Sequence, residues 1–309
     1  MTVWMLPGQG AQKPGMGADL LELPQVAQAF ALASDVLGLD LADLSRNGSA
    51  EDVNRPFNAQ ALTMAVSVGT GRFLQANGLA PSAVLGFSLG QIGALALAGV
   101  LSDEQAFRLL KVRATAMAAA CEQVPGGMLA LLGADAQDAE ELCKECAGGE
   151  VLLPANYNCP GQIVISGTEA AIECAGARWK ELGNKASRLN TSGAFHSPLM
   201  ADAAEKLAEY LVGVEFSEPA IPLVCNVDAS PLSAACAREH LAEHLTHPVR
   251  FQQSVEALEE QGHTTFWEVG FGGVLENLVK RIDRKAVRAC VQDRASFDAA
   301  LESLASDAS

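Results

Sequence analysis

Gly86-Phe87-Ser88-Leu89-Gly90 sets a serine between two glycines, with a short apolar run at 83–86 before it and a small-residue helical pattern at 91–100 after it. A strand-to-helix turn of this G-x-S-x-G kind pushes the hydroxyl out at a sheet edge, where it can attack an acyl carbon. The helix that follows starts with unpaired backbone N–H groups, which suit an oxyanion. Without a base, the same serine would only cap a helix in a tight turn. The chain offers five histidines as bases. His196 stands in a loop shaped by glycine and proline, Ser192-Gly193-Ala194-Phe195-His196-Ser197-Pro198, and loops on a rigid scaffold are where catalytic groups concentrate. His240, His244 and His247 share one polar helical stretch and read as a solvated side rather than a metal set. His263 follows Gly262 in a turn and reads as surface.

A hydrolase of the α/β type supplies serine, acid and histidine in that order. Between Ser88 and His196 the acids, Glu104 and Asp138 among them, fall in polar helical patterns, and none sits in a loop after a strand. The histidine therefore takes its orientation from something other than a carboxylate, which weakens a hydrolase reading. Arg113 poses a second chemical question. It interrupts the apolar stripe Ala106, Leu109, Leu110, Met117, and a guanidinium facing a core is costly unless an anion meets it. Spacing alone leaves two anions open: a substrate carboxylate held by the planar fork of donors, or an internal salt bridge.

These groups need elements to hold them. Strands are expected at 3–6 and 83–86, and helices at 24–37, 60–76, 91–100 and from Ser102, whose capping box with Gln105 opens a helix to about 120. From 126 the pattern turns to β-α-β-β-α-β: strands at 128–132, 151–156, 162–166 and 187–190, helices at 136–146 and 169–182. That is the order of a ferredoxin-like unit, expected as a small domain over 126–191. Alternating strands and helices in the flanks imply a mostly parallel sheet covered on both faces.

With 309 residues, 49% hydrophobic and 19% charged, the chain can bury a sizeable core, and disorder is excluded. A net charge of −16 argues against nucleic acid or an anionic membrane as the main partner. No apolar run nears the roughly 20 residues of a spanning helix, and the apolar start at 3–6 has no basic stretch before it. Eight scattered cysteines point to reduced thiols in a cytoplasmic protein. The lone pair Cys143 and Cys146 reads as an apolar helix face rather than a zinc site, and Cys159 as inert.

Taken together, these pieces resemble the malonyl-CoA:acyl-carrier-protein transacylase family over nearly the whole length. The resemblance rests on Pro7-Gly8-Gln9-Gly10, the Ser88 turn, Val112-Arg113 with Met117, Asn156-Tyr157-Asn158-Cys159-Pro160-Gly161-Gln162 and Phe195-His196-Ser197. It continues through Asn226-Val227-Asp228, Pro248-Val249-Arg250-Phe251, Glu268-Val269-Gly270 and Lys280-Arg281-Ile282. It implies an α/β-hydrolase-like core over 1–125 and 192–309 with the ferredoxin-like subdomain at 126–191, and a site between them. It also implies a ping-pong S-malonyltransferase of fatty acid biosynthesis, working without a cofactor and without a metal. In that scheme Ser88 is the nucleophile, His196 the base, and the backbone N–H groups of Gln9 and Leu89 the oxyanion hole. The Arg250 carbonyl orients the imidazole, Arg113 clamps the malonyl carboxylate, and Met117, Gln60 and Asn158 bind substrate. The implied partners are malonyl-CoA and an acidic acyl-carrier protein. The segment 280–288, with Lys280, Arg281, Arg284, Lys285 and Arg288 against Asp283, is a docking patch or an ordinary cationic helix end. The family's elbow has histidine where Phe87 stands and glutamate where Gln91 stands, which bears on acyl selectivity. Acyltransferases of polyketide synthesis or malonate decarboxylase, and a non-catalytic carrier-protein-binding subunit, are the alternatives.

Overall fold

The computed structural model describes residues 1–191 and 193–307; Ser192, at the head of the His196 loop, lies outside them, as do Ala308 and Ser309. Nine strands are found among the described residues: β1 (Thr2–Leu6), β2 (Ala83–Gly86), β3 (Gly126–Leu132), β4 (Leu152–Cys159), β5 (Gln162–Thr168), β6 (Lys185–Arg188), β7 (Leu223–Val224), β8 (Thr265–Val269) and β9 (Val287–Val291). They form two sheets.

The larger sheet runs β7-β2-β1-β8-β9, with every pairing parallel. Its central strand β1 buries Val3, Trp4, Met5 and Leu6, the continuous apolar run expected of a strand covered on both faces. Leu6 pairs with Gly86, so β1 and β2 end together and the loops after them meet at one edge. The carboxyl edge of a parallel sheet is where open α/β folds bind ligands. The helices Pro24–Leu37, Pro56–Ala76 and Asp103–Gln123 pack beside it. The last of these is opened by the expected capping box, with Gln105 N donating to Ser102 Oγ at 3.2 Å and Ser102 N to Gln105 Oε1 at 2.8 Å.

The smaller sheet runs β4-β5-β3-β6 and is antiparallel throughout, the strand order of a ferredoxin-like unit. One face packs Leu129, Leu131 and Ile165 against Leu142 of the helix Ala136–Cys146 and against Ile172 and Trp179 of the helix Glu169–Glu181. The other face presents Met128, Ala130, Ala155 and Val164 toward Leu189 and Phe195. Its last strand lies two residues earlier than the sequence pattern indicates. Paired bonds, Tyr157 N to Val249 O and Val249 N to Ala155 O, both at 2.9 Å, stitch β4 to the segment before the helix Phe251–Glu260. No helix among the described residues is long and apolar enough to cross a membrane.

Candidate active site

β2 ends at Gly86, and the chain turns through Phe87, Ser88 and Leu89 into the helix Gly90–Leu97. Crowding dictates both glycines. A Cβ on Gly86 would press into the backbone of Gly90 and Gln91, and one on Gly90 into the Leu6 carbonyl. Ser88 itself sits at φ +50°, a left-handed conformation that costs a β-carbon residue about 1–3 kcal/mol. Asn226 holds it there: its Oδ1 accepts from Ser88 N at 2.7 Å, and its Nδ2 donates to Gly86 O at 2.5 Å. Asn226 was legible only as part of a motif; its role comes from the fold. Gln91, buried in the helix, accepts from Asn226 N at 3.2 Å, while its Nε2 has no partner among the described residues.

His196 comes from the loop after β6 and is also left-handed, at φ +57°. Its Nε2 lies 2.8 Å from Ser88 Oγ. Its Nδ1 faces two carbonyl oxygens, those of His244 at 3.0 Å and His247 at 3.1 Å. Nδ1 therefore carries the proton and donates, which leaves Nε2 free to accept from the serine. The carbonyl is not that of Arg250. Arg250 opens the helix Phe251–Glu260, and its oxygen is taken by Ser254 N at 3.0 Å and Ser254 Oγ at 2.7 Å. His244 is likewise no solvated residue: it is 2% exposed, with Nε2 3.3 Å from Asn226 Oδ1. The helix Ala234–Glu243 ends just before it, and the chain turns inward instead of continuing along the surface. His263 is buried too, its Nδ1 3.1 Å from Ser82 Oγ.

Arg113 is 2% exposed, and no carboxylate among the described residues pairs with it. Its Nη1 donates to Gln60 Oε1 at 2.8 Å, its Nη2 to Ser88 Oγ at 3.2 Å, and its Nε is buried without a partner among the described residues. The internal salt bridge is thereby removed as an explanation. Burial pulls the guanidinium down to about 10. Burial first, and the Arg113 cation second, pull His196 down to about 4. The imidazole is neutral at neutral pH, as a base must be.

These groups line an open cleft between the carboxyl edge of the parallel sheet and the Met128 face of the small sheet. Gln9, Leu89, Met117, Phe87 and Phe195 also line it. Neither Gln9 N nor Leu89 N makes a hydrogen bond among the described residues, so both donors are available beside Ser88. Phe87 turns its ring edge-on to Phe251, with centroids 5.5 Å apart. Asn156, rather than Asn158, reaches the cleft. Irregularities in β4 between Pro154 and Asn156 and between Tyr157 and Cys159 break the simple alternation, and Asn158 Nδ2 turns to Gln162 Oε1 at 3.4 Å. Of the basic segment, Arg281 is tied to the carbonyls of Pro160 and Gly161, and Arg288 to those of Asp283 and Ala286. Lys280, Arg284 and Lys285 are exposed.

A sequence model of the acyl transferase domain matches residues 3–296. The malonyl CoA-acyl carrier protein transacylase of Salmonella typhimurium is 39% identical over 302 residues, covering 96% of this chain and 98% of that protein. The crystal structure of malonyl-CoA:acyl carrier protein transacylase from Xanthomonas oryzae pv. oryzae superposes with a TM-score of 0.94 at 41% identity, over 98% of each chain. A malonyl-transacylase in complex with its type II PKS acyl-carrier protein gives 0.93 at 42% identity, over 98% of this chain and 99% of that one.

Proposed function

The chain belongs to the acyl transferase domain family, alongside the malonyl CoA-acyl carrier protein transacylases, and from that footing we propose that it moves malonyl from coenzyme A to an acyl-carrier protein in fatty acid biosynthesis. Ser88 Oγ attacks the thioester carbonyl while its proton passes to His196 Nε2. The oxyanion is received by the N–H groups of Gln9 and Leu89. The carbon–sulfur bond then breaks, and the imidazolium returns the proton to the departing coenzyme A sulfur, leaving a malonyl ester on Ser88. In the second half the thiol of the carrier's arm gives its proton to Nε2 and its sulfur attacks the ester. Ser88 Oγ leaves and regains the proton. No cofactor enters the scheme, and eight free thiols support a cytoplasmic setting.

The observation that carries this reading is Arg113: buried, without a carboxylate, and 3.2 Å from the attacking oxygen. A malonyl ester on Ser88 places its free carboxylate one methylene beyond the carbonyl, within reach of that guanidinium, and an acetyl group offers nothing to pair. The carboxylate also neutralises the cation that depresses His196, so bound substrate strengthens the base. Intact mass spectra after incubation with malonyl-CoA or acetyl-CoA test the assignment. The malonyl adduct should vanish in Ser88→Ala, and the acetyl adduct should be weak until Arg113→Ala is made. No adduct from either thioester in folded protein would overturn the reading.

Lys280, Arg284 and Lys285 supply the positive surface for the acidic carrier. Reversing Arg284 and Lys285 to Glu should raise the apparent KM for carrier and leave that for malonyl-CoA unchanged; an unmoved carrier KM would remove the patch from the scheme.

A further inference from the structure

Behind the serine turn, three side chains that the transfer scheme does not use converge from the segment 225–228 and the helix Ala234–Glu243. Cys225 Sγ, a carboxylate oxygen of Asp228 and a ring nitrogen of His240 lie within 4.8 Å of one another. His240 Nε2 and Asp228 Oδ2 are 3.6 Å apart. Two ligands each about 2.1 Å from a tetrahedral ion stand about 3.4 Å apart, so the spacing suits a shared metal. It does not suit a hydrogen bond, for which 3.6 Å is too long. Nδ1 of the same ring is buried without a partner among the described residues. A buried ring nitrogen without a partner is costly.

We propose that Cys225, Asp228 and His240 form a zinc site. One thiolate, one imidazole and one carboxylate are a donor set that zinc accepts, and the ion displaces the Cys225 proton to solvent on binding. Asp228, with a side chain 44% exposed, marks the entry path, and water takes the fourth position. The carboxylate is held ready, with Oδ1 accepting from Ser230 N at 3.0 Å and Oδ2 from Ser230 Oγ at 2.7 Å. Cys225 and Asp228 flank Asn226, which anchors the Ser88 turn. A metal here fastens the segment that positions the nucleophile without touching it. His240 is thereby taken out of the solvated helix face on which its spacing put it.

Metal-free full-length protein titrated with Co²⁺ tests the site. One ion should bind per chain with the visible absorption of a tetrahedral centre and a thiolate charge-transfer band, both removed by competing Zn²⁺. Cys225→Ser should abolish the charge-transfer band. His240→Gln should weaken binding by about tenfold or more. Cys143→Ser with Cys146→Ser should change neither. Far-UV circular dichroism of each variant reports that it is folded. A band that survives Cys225→Ser, disappears with the Cys143 and Cys146 changes, or never forms would overturn the proposal.

Discussion

The two sheets of this molecule are built to different standards. Among the described residues, every non-glycine residue with a left-handed backbone, Ser88, His196 and Ala229, belongs to the part built on the parallel sheet. So do the buried arginine, histidine and glutamate side chains, Arg113, His196, His244, His263 and Glu268. The small antiparallel unit carries its charge outside, in exposed pairs such as Arg178 with Glu145 and Arg188 with Glu169, and fills its helix-covered face with aliphatic and aromatic side chains. Backbone strain costs stability, and at Ser88 and His196 it sits where the chemistry is. The small unit contributes shape, walling the cleft with Met128 and Asn156.

If that contrast is right, comparable substitutions should behave differently in the two parts. The largest difference should come from adding one methyl group to a glycine. Gly90→Ala drives a Cβ into the backbone oxygen of Leu6 and should cost roughly 3 kcal/mol or more, read as a fall in denaturation midpoint at unchanged m-value. A loss below about 1 kcal/mol would mean the turn can relax. Next is pH. His196 and His244 are both held below their usual 6.5, His196 at about 4 and His244 well down, each by burial first and Arg113 second. The unfolded chain thus binds more protons between about 6.5 and 4, so these two groups make stability fall as pH drops through that window. Glu268, raised to about 7 by burial, works in the opposite sense between 4.5 and 7 and offsets part of the slope. Arg113→Ala removes the cation, so the acid limb of acetyl transfer should move to higher pH. An unmoved limb would disconnect Arg113 from His196. The smallest effect is expected in the other sheet's helix. At Gly176 an added Cβ meets only Leu129 Cδ2 at an ordinary 3.5 Å, so Gly176→Ala should stabilise by about 0.5–1 kcal/mol in a thermal melt.

Much of this was legible in the sequence because it is local. The capping box at Ser102, the apolar runs of β1 and β2, and the helix 136–146 between strands each follow from residue types at fixed spacing. The sequence pattern puts β6 two residues too late because its side chains are mostly exposed, and an edge strand without a buried face has little register to read. The resemblance points to Asn158 as a substrate contact, whereas irregularities in β4 that leave no trace in composition bring Asn156 to the cleft instead.

The chain's own order of residues determined that a serine would be thrust out at the end of a strand, that a histidine loop would follow a ferredoxin-like unit, and that an arginine would face inward. Each follows from short-range sterics and periodicity. Which groups those side chains would meet was decided only in three dimensions. The carbonyls that orient His196 belong to residues 48 and 51 positions away, and the amide that anchors Ser88 lies 138 away. Nothing local distinguishes one backbone oxygen from another; packing selects the one that arrives.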